Sequence, residues 1–214
     1  MYSEEYYPFF INNGFLLYSK DYSYVEVRKN LLHYMYTKIV HVKSFITTEV
    51  NRLKQEYHWN DYYWIGIQIR SGHIARDDAF AFFLKKDDYS VFISKAKDLM
   101  IEYENSDIPK KKPVRWFLAT DSKNHKKEIS HTYKKFVVTN NCKMVHSMVE
   151  IHKDDLTEGM TCTLLDAYLL ASCDAAVTTS KSTYGHWAMY QNLNIKRVSV
   201  RKGEFVSYQR NQKK

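Results

Sequence analysis

An α/β fold built on a mostly parallel sheet is the class this sequence predicts, on three observations. Short apolar runs at 64–70, 114–119, 175–178 and 197–200 are bounded by turn residues, as strands buried on both faces are. Segments with helical apolar spacing lie between them, which is the pattern of βαβ units. Two of the runs close on residues that open a helix, Thr120-Asp121-Ser122 and Ser180-Lys181-Ser182-Thr183, because Ser, Thr and Asp side chains satisfy the first free N–H groups.

The elements follow in order. Residues 1–22 are aromatic and turn-rich, with Asn12-Asn13-Gly14 as a turn signal. Leu31, Met35, Ile39, Val42, Ile46, Val50 and Leu53 fall at helical spacing, which predicts one long or two consecutive amphipathic helices. The run Y-W-I-G-I-Q-I-R-S-G then makes a strand that stops abruptly at Arg70. Residues 71–88 read as a long charged loop carrying His73, Arg76, Asp77 and Asp78, and long loops in compact domains are often functional. A helix over about 88–103 buries Phe92, Ala96, Leu99, Met100 and Tyr103, and Pro109 and Pro113 end the connection to the second strand. The helix after Ser122 places Ile129, Tyr133 and Phe136 on one face, and 136–139 and 143–147 are alternative short strands. A helix over 161–173 carries Leu164, Leu165, Tyr168 and Leu169 on one stripe with Asp166 off it. A strand at 175–178, a helix through Trp187, Ala188 and Met189, and a closing strand at 197–200 complete the chain.

Composition narrows the function. The 214 residues, 44% of them hydrophobic, suit one domain with a helical or irregular extension over 1–60 and a Rossmann-like domain over 61–214. The net charge is +8, but its lysine runs lack the aromatic interleaving of a nucleic-acid groove, so an anionic small ligand such as a nucleotide sugar is the expected partner and nucleic acid is not. Cys142, Cys162 and Cys173 have no C-x-x-C spacing, so neither a zinc site nor a redox motif is indicated. Residues 1–10 are acidic and aromatic, which is not the pattern of a signal peptide. No apolar run approaches the roughly 18 residues that a membrane span needs. P-loop, dinucleotide-fingerprint and G-x-S-x-G motifs are absent, which disfavours NTPases, dehydrogenases and serine hydrolases.

Ligands of open α/β sheets sit outside the carboxyl ends of the strands. Arg70, Asp121 and the Ser182-Thr183 turn all fall at that edge. A guanidinium offers forked donors to phosphate oxygens, and a helix start offers N–H groups and hydroxyls to an anion. Pairing of Arg70 with a surface acid, and capping by Ser182 and Asp121, are the structural alternatives.

Taken together, I-G-I-Q-I-R-S-G, A-T-D-S and L-L-D-A-Y-L-L-A-S-C-D-A-A-V-T-T-S-K-S-T-Y-G resemble the donor-binding half of GDP-fucose-dependent fucosyltransferases, both protein O-fucosyltransferases and plant-type α-1,2-fucosyltransferases. The resemblance covers about residues 60–200. It implies the C-terminal half of a GT-B fold, GDP-fucose as donor, a protein or glycan hydroxyl as acceptor, inversion at the sugar and no metal or other cofactor. It implies that Arg70 contacts the β-phosphate, that Asp166 reads guanine, and that Ser182, Thr183 and Tyr184 cradle phosphates and pack on the nucleotide. Gln68 falls where many members carry His, and Asp121 is implied as a pocket residue. Asp77, Asp78 and His73 are candidates for a general base. The resemblance further implies the secretory pathway. Because only about 60 residues precede the first motif, the alternative expectation is a non-catalytic GDP-sugar-binding domain.

Overall fold

β1 (Tyr63–Ile69) is the strand on which the sheet is built, and every residue from Trp64 onward is buried. It pairs in parallel with β2 (Val114–Thr120) along its whole length and, on its other side, with β4 (Ala175–Thr179). β3 (Val137–Val138) adds to β2 and β5 (Lys196–Arg201) to β4, both in parallel. β6 (Glu204–Tyr208) joins β5 antiparallel. The strand order β3-β2-β1-β4-β5-β6 is the doubly wound order in which the chain reverses its direction of travel between the first and fourth strands. The computed structural model describes residues 24–35, 37, 42–71, 89–141, 153–180, 182–201 and 204–208. The Asn12-Asn13-Gly14 turn, the charged stretch with His73, Arg76, Asp77 and Asp78, and the alternative strand at 143–147 lie outside the described residues.

Alternation along β1 sorts the two cores, since successive side chains point to opposite faces. Ile65, Ile67 and Ile69 pack with Trp116, Leu118 and Val177 under α3 (Tyr89–Glu104) and α4 (Lys123–Thr132), which contribute Phe92, Ile93, Ala96, Leu99 and Ile129. Trp64 packs on the other face with Phe117 and Ala176. That face is covered by α2 (Ser44–Glu56), α5 (Lys153–Ala171) and α6 (Thr183–Gln191), through Ile46, Val50, Leu53, Leu165, Leu169, Ala188 and Met189. α1 (Tyr24–Tyr34) reaches α6 through His33, whose Nδ1 donates to the Tyr190 carbonyl at 2.7 Å.

The entrance to β1 is held by indoles. Trp59 and Trp64 stack with centroids 4.1 Å apart. Trp64 Nε1–H donates to the Trp59 carbonyl at 2.9 Å, and Trp59 Nε1–H to the Ser172 carbonyl at 3.2 Å. Gly66 makes the close approach of α5 possible, because a Cβ there would lie 3.0 Å from Leu170 Cδ2 and 3.2 Å from Cys173 Sγ.

Within 24–53 the described residues form two helices, α1 and α2, one of the two alternatives expected. Three other elements differ from expectation. α5 starts at Lys153 rather than at 161; its opening turns carry Leu156 and Met160 at the spacing of Leu164, but among polar residues and Gly159. α4 ends at Thr132, so Phe136 is not on its face but in the turn beyond, where it stacks on Trp116 at 5.4 Å. β5 does not close the sheet, because β6 pairs with it.

A valine at position 66 would have to displace Leu170 or the Cys173 thiol. Gly66→Val is expected to lower stability by about 1–3 kcal/mol, the usual cost of overpacking, read as a fall in the urea midpoint with an unchanged slope.

Candidate functional site

The strand order reverses between β1 and β4, and doubly wound sheets take ligands outside the carboxyl ends of the strands at that point. Gln68, the last residue of β1 that faces α6, is 2% exposed and engaged at both ends of its amide. Its Oε1 accepts from the Thr179 N–H at 3.1 Å, and its Nε2 donates to Ser182 Oγ at 3.3 Å. Thr179 returns the contact, donating its hydroxyl to the Gln68 carbonyl at 3.2 Å while accepting from the Arg70 N–H at 2.8 Å. The ends of β1 and β4 are thus laced by side chains beyond the last ladder bond.

Arg70 leaves the sheet one residue after β1 with its guanidinium at the surface. Nη1 lies 3.2 Å from Asp121 Oδ2, and the side chains are 45% and 16% exposed. The other oxygen of Asp121 accepts from the Ser71 N–H at 2.7 Å, so one carboxylate holds two successive residues of the β1 exit. Ser71 Oγ lies 3.0 Å from Nδ1 of His125 in the first turn of α4. Ser122 caps that helix, accepting from the His125 N–H at 3.2 Å. The acid that pairs with Arg70 therefore comes from the same turn as the helix cap.

At the third corner, Ser182 is the N-cap of α6 and Thr183 its first residue. Ser182 Oγ accepts from the Gly185 N–H at 3.2 Å as well as from Gln68. A hydroxyl has two lone pairs and one hydrogen; with both lone pairs used, Ser182 is left with only a proton to offer, which suits an anionic oxygen. Gly185 is required here, because a Cβ would sit 2.5 Å from Gln68 Oε1 and would dislodge it from Thr179. Tyr184 turns inward, its hydroxyl donating to the Thr163 carbonyl of α5 at 3.2 Å.

Asp166 lies in α5 and is half-buried, with its Oδ1 shielded from solvent rather than on an open face. Ala167, Leu169 and Leu170 beside it are all buried, so the helix is apolar on more than the single stripe expected. Burial pushes the Asp166 carboxyl up to about 7, against the opposing pull of Lys126 and Asn140. Asn140 lies close enough to favour the carboxylate, yet its Nδ2 and Asp166 Oδ1 are both without a partner of hydrogen-bonding geometry. Lys126 donates to the Asn140 carbonyl, and burial lowers its pKa. Tyr184 is raised by burial and by the neighbouring Asp166. His125 and Lys126, adjacent in α4, thus serve the Arg70 corner and the Asp166 corner respectively.

Gln68 and Ser182 are in direct contact and Arg70 pairs with Asp121 at the same sheet edge, with Thr183 at the start of the same helix as Ser182. Asp166 and Tyr184 form a second cluster on α5 and α6. Ser71, His125, Thr179, Lys126 and Asn140 were not singled out from the sequence; the His-Lys pair one turn after a capping serine was the available signal. Among the described residues no three His, Cys, Asp or Glu side chains gather as a metal site, and no helix is long and apolar enough to cross a membrane.

A family model described as nodulation protein Z (NodZ) matches residues 26–202. The chain belongs to the NodZ family. Among solved structures, NodZ alpha-1,6-fucosyltransferase co-crystallised with GDP is 20% identical with a TM-score of 0.49, over 77% of this chain and 47% of that chain. Fucosyltransferase NodZ from Bradyrhizobium is 20% identical with a TM-score of 0.48, over 77% and 47%. A mutant of Arabidopsis thaliana FUT1 in complex with GDP is 16% identical with a TM-score of 0.51, over 80% and 37%, and shares the Rossmann-like fold. The chain spans less than half the length of these proteins. No curated protein matches it significantly.

The Asp166 carboxyl gives a pH test. Its folded-state pKa of about 7 exceeds the ordinary 3.8, so the folded protein keeps a proton that the unfolded chain releases. Stability from this group is full below that ordinary value and is lost as pH rises through the folded pKa. Chemical denaturation from pH 4 to pH 8 should show wild type losing stability relative to Asp166→Asn, by on the order of a few kcal/mol. A gap between the two that stays flat with pH would mean that Asp166 is ionised in the fold.

Proposed function

We propose that this chain is the donor-binding half of a GT-B-type, inverting fucosyltransferase that uses GDP-fucose. The observation that carries the reading is the NodZ family match across residues 26–202. Its geometric support is the position between the ends of β1 and β4, with Arg70 on one side and the start of α6 on the other. Ligands of doubly wound sheets sit where the strand order reverses, which supports this position.

The chemistry then follows from the residues. An acceptor hydroxyl oxygen attacks the anomeric carbon of fucose from the face opposite the diphosphate. The bond from that carbon to the β-phosphate oxygen breaks, GDP departs with the electron pair, and the acceptor proton passes to a base or to water. Negative charge grows on the diphosphate as the bond breaks, and this is where fixed donors act most strongly. Arg70 supplies a forked cation to the β-phosphate. The N–H groups at the start of α6 and the Ser182 proton face the same charge from the other side. With these positive groups the donor site needs no divalent metal in this reading.

Asp166 is the proposed reader of guanine, since a carboxylate accepts from both the ring N–H and the exocyclic amine, and its Oδ1 is without a partner. The family match favours a glycan acceptor, because an alpha-1,6 linkage, as named for NodZ, is made to a sugar hydroxyl. The secretory pathway is the compartment that the resemblance to fucosyltransferases favours.

Calorimetric titration in the presence of a chelator tests the core of this reading. GDP and GDP-fucose should bind without added metal, and binding that is lost with the chelator and restored by manganese would refute it. In the same assay Arg70→Lys should weaken GDP, because the charge stays but the fork is lost. Arg70→Ala should weaken it further with little change in melting temperature, as a partly exposed ion pair contributes about 0–1 kcal/mol. Where transfer is measurable, Arg70→Ala should cut turnover by about 10²-fold or more. Donor binding with no transfer to any glycan would be the behaviour of a non-catalytic GDP-sugar-binding domain.

Base selectivity tests Asp166. Asp166→Ala should narrow the preference for GDP over ADP and UDP by roughly 1–3 kcal/mol, the cost of leaving a polar set unpaired. A preference that stays at the wild-type value would remove Asp166 from the base contact.

A further inference from the structure

We propose that His125 is a positioning residue for donor binding, acting through Ser71 to hold the β1 exit in the conformation that presents Arg70. This rests on the reading above that Arg70 meets the β-phosphate.

The exit from β1 must be rigid if a long arginine side chain is to meet a phosphate with both prongs of its fork. The Arg70 main chain is fixed by its N–H to Thr179 Oγ1 at 2.8 Å. One residue on, regular pairing has ended, and what holds the chain there is side-chain chemistry. Asp121 takes the Ser71 N–H at 2.7 Å with one oxygen and faces the Arg70 guanidinium at 3.2 Å with the other. The Ser71 hydroxyl meets His125 Nδ1 at 3.0 Å. Together these close a ring of contacts running Arg70, Asp121, α4, His125, Ser71 and back along the chain.

His125 is suited to anchor that ring. It is buried, its main chain is fixed by the Ser122 cap, and its ring lies tilted against Tyr89 of α3 at 5.4 Å. An imidazole confined this way has few alternative rotamers, so its hydrogen bond to Ser71 carries little further entropy cost. Loss of the bond frees Ser71, and the shared Asp121 carboxylate then follows either residue rather than holding both. His125 touches no reacting atom in this scheme; its effect reaches the phosphate through Ser71, Asp121 and Arg70.

The test compares GDP with GMP, which lacks the β-phosphate, on the full chain by calorimetry, beside thermal melting. His125→Leu and Ser71→Ala should each weaken GDP by up to about tenfold, the scale of one hydrogen bond, and leave GMP affinity unchanged. His125→Asn, whose amide oxygen can stand in for Nδ1, should restore most of the GDP affinity. The double variant should lose no more than the larger single loss, since both changes break one link. Equal weakening of GDP and GMP with a lower melting temperature would show a purely structural role and overturn the proposal. So would wild-type GDP affinity in Ser71→Ala, the less disruptive of the two changes. Wild-type protein that binds no GDP would overturn this proposal and the proposed function together. A wild type that prefers GDP, and loses that preference in Arg70→Ala but not in the His125 and Ser71 variants, would overturn only this one.

Discussion

The burial of β1 between β2 and β4 is the constraint from which the site follows. A strand enclosed on both faces cannot shift its register without turning its isoleucines into the opposite core. Its last residues are therefore placed as firmly as any in the molecule, and Gln68 and Arg70 inherit that placement. Gln68 spends both ends of its amide on the neighbouring strand end and the helix cap. That lacing makes the position of α6, and hence of its N–H groups, depend on a side chain of β1.

Asp121 has the corresponding part on the other flank. Its two oxygens divide between a guanidinium and a main-chain N–H, an arrangement that leaves the cation near the surface but restricts its direction. A lysine in place of Arg70 would retain attraction to Asp121 without the planar fork. The second cluster, around Asp166, stores a different kind of cost. A half-buried carboxyl with one shielded, unpartnered oxygen is costly to ionise, and in the proposed function this unfilled demand for donors is what guanine would meet. α4 links the two clusters by presenting His125 to one and Lys126 to the other.

Much of the architecture was legible because each feature has a local cause. Apolar runs ended by turn residues marked β1, β2, β4 and the core of β5, since burial favours apolar residues there, with the few buried polar ones, such as Gln68, Thr178 and Thr179, near the strand ends. Ser122 and Ser182 could be read as caps because the first N–H groups of any helix lack internal partners. The opening turns of α5 were not legible, although Leu156 and Met160 continue the spacing of Leu164, because they stand among polar residues and Gly159, which weakens a helix reading. Phe136 was assigned to a helix face on spacing alone, whereas its contact is with Trp116 on an adjacent strand.

By itself the sequence determined the α/β class, the strand-end position of Arg70, the helix starts at Ser122 and Ser182, and the motif order shared with fucosyltransferases. These depend on periodicity and on neighbours within a few residues. Only the tertiary structure decided that Asp121 holds Arg70 and Ser71 at once, that His125 reaches Ser71, that Gln68 engages both Thr179 and Ser182, and that Asp166 is half-buried beside Lys126 and Asn140. Each of those contacts joins residues from separate elements, and their meeting depends on the order in which the strands lie side by side. Strand order is set by how whole helices cover a sheet, a sum of packing over distant segments that no local pattern of residue types encodes.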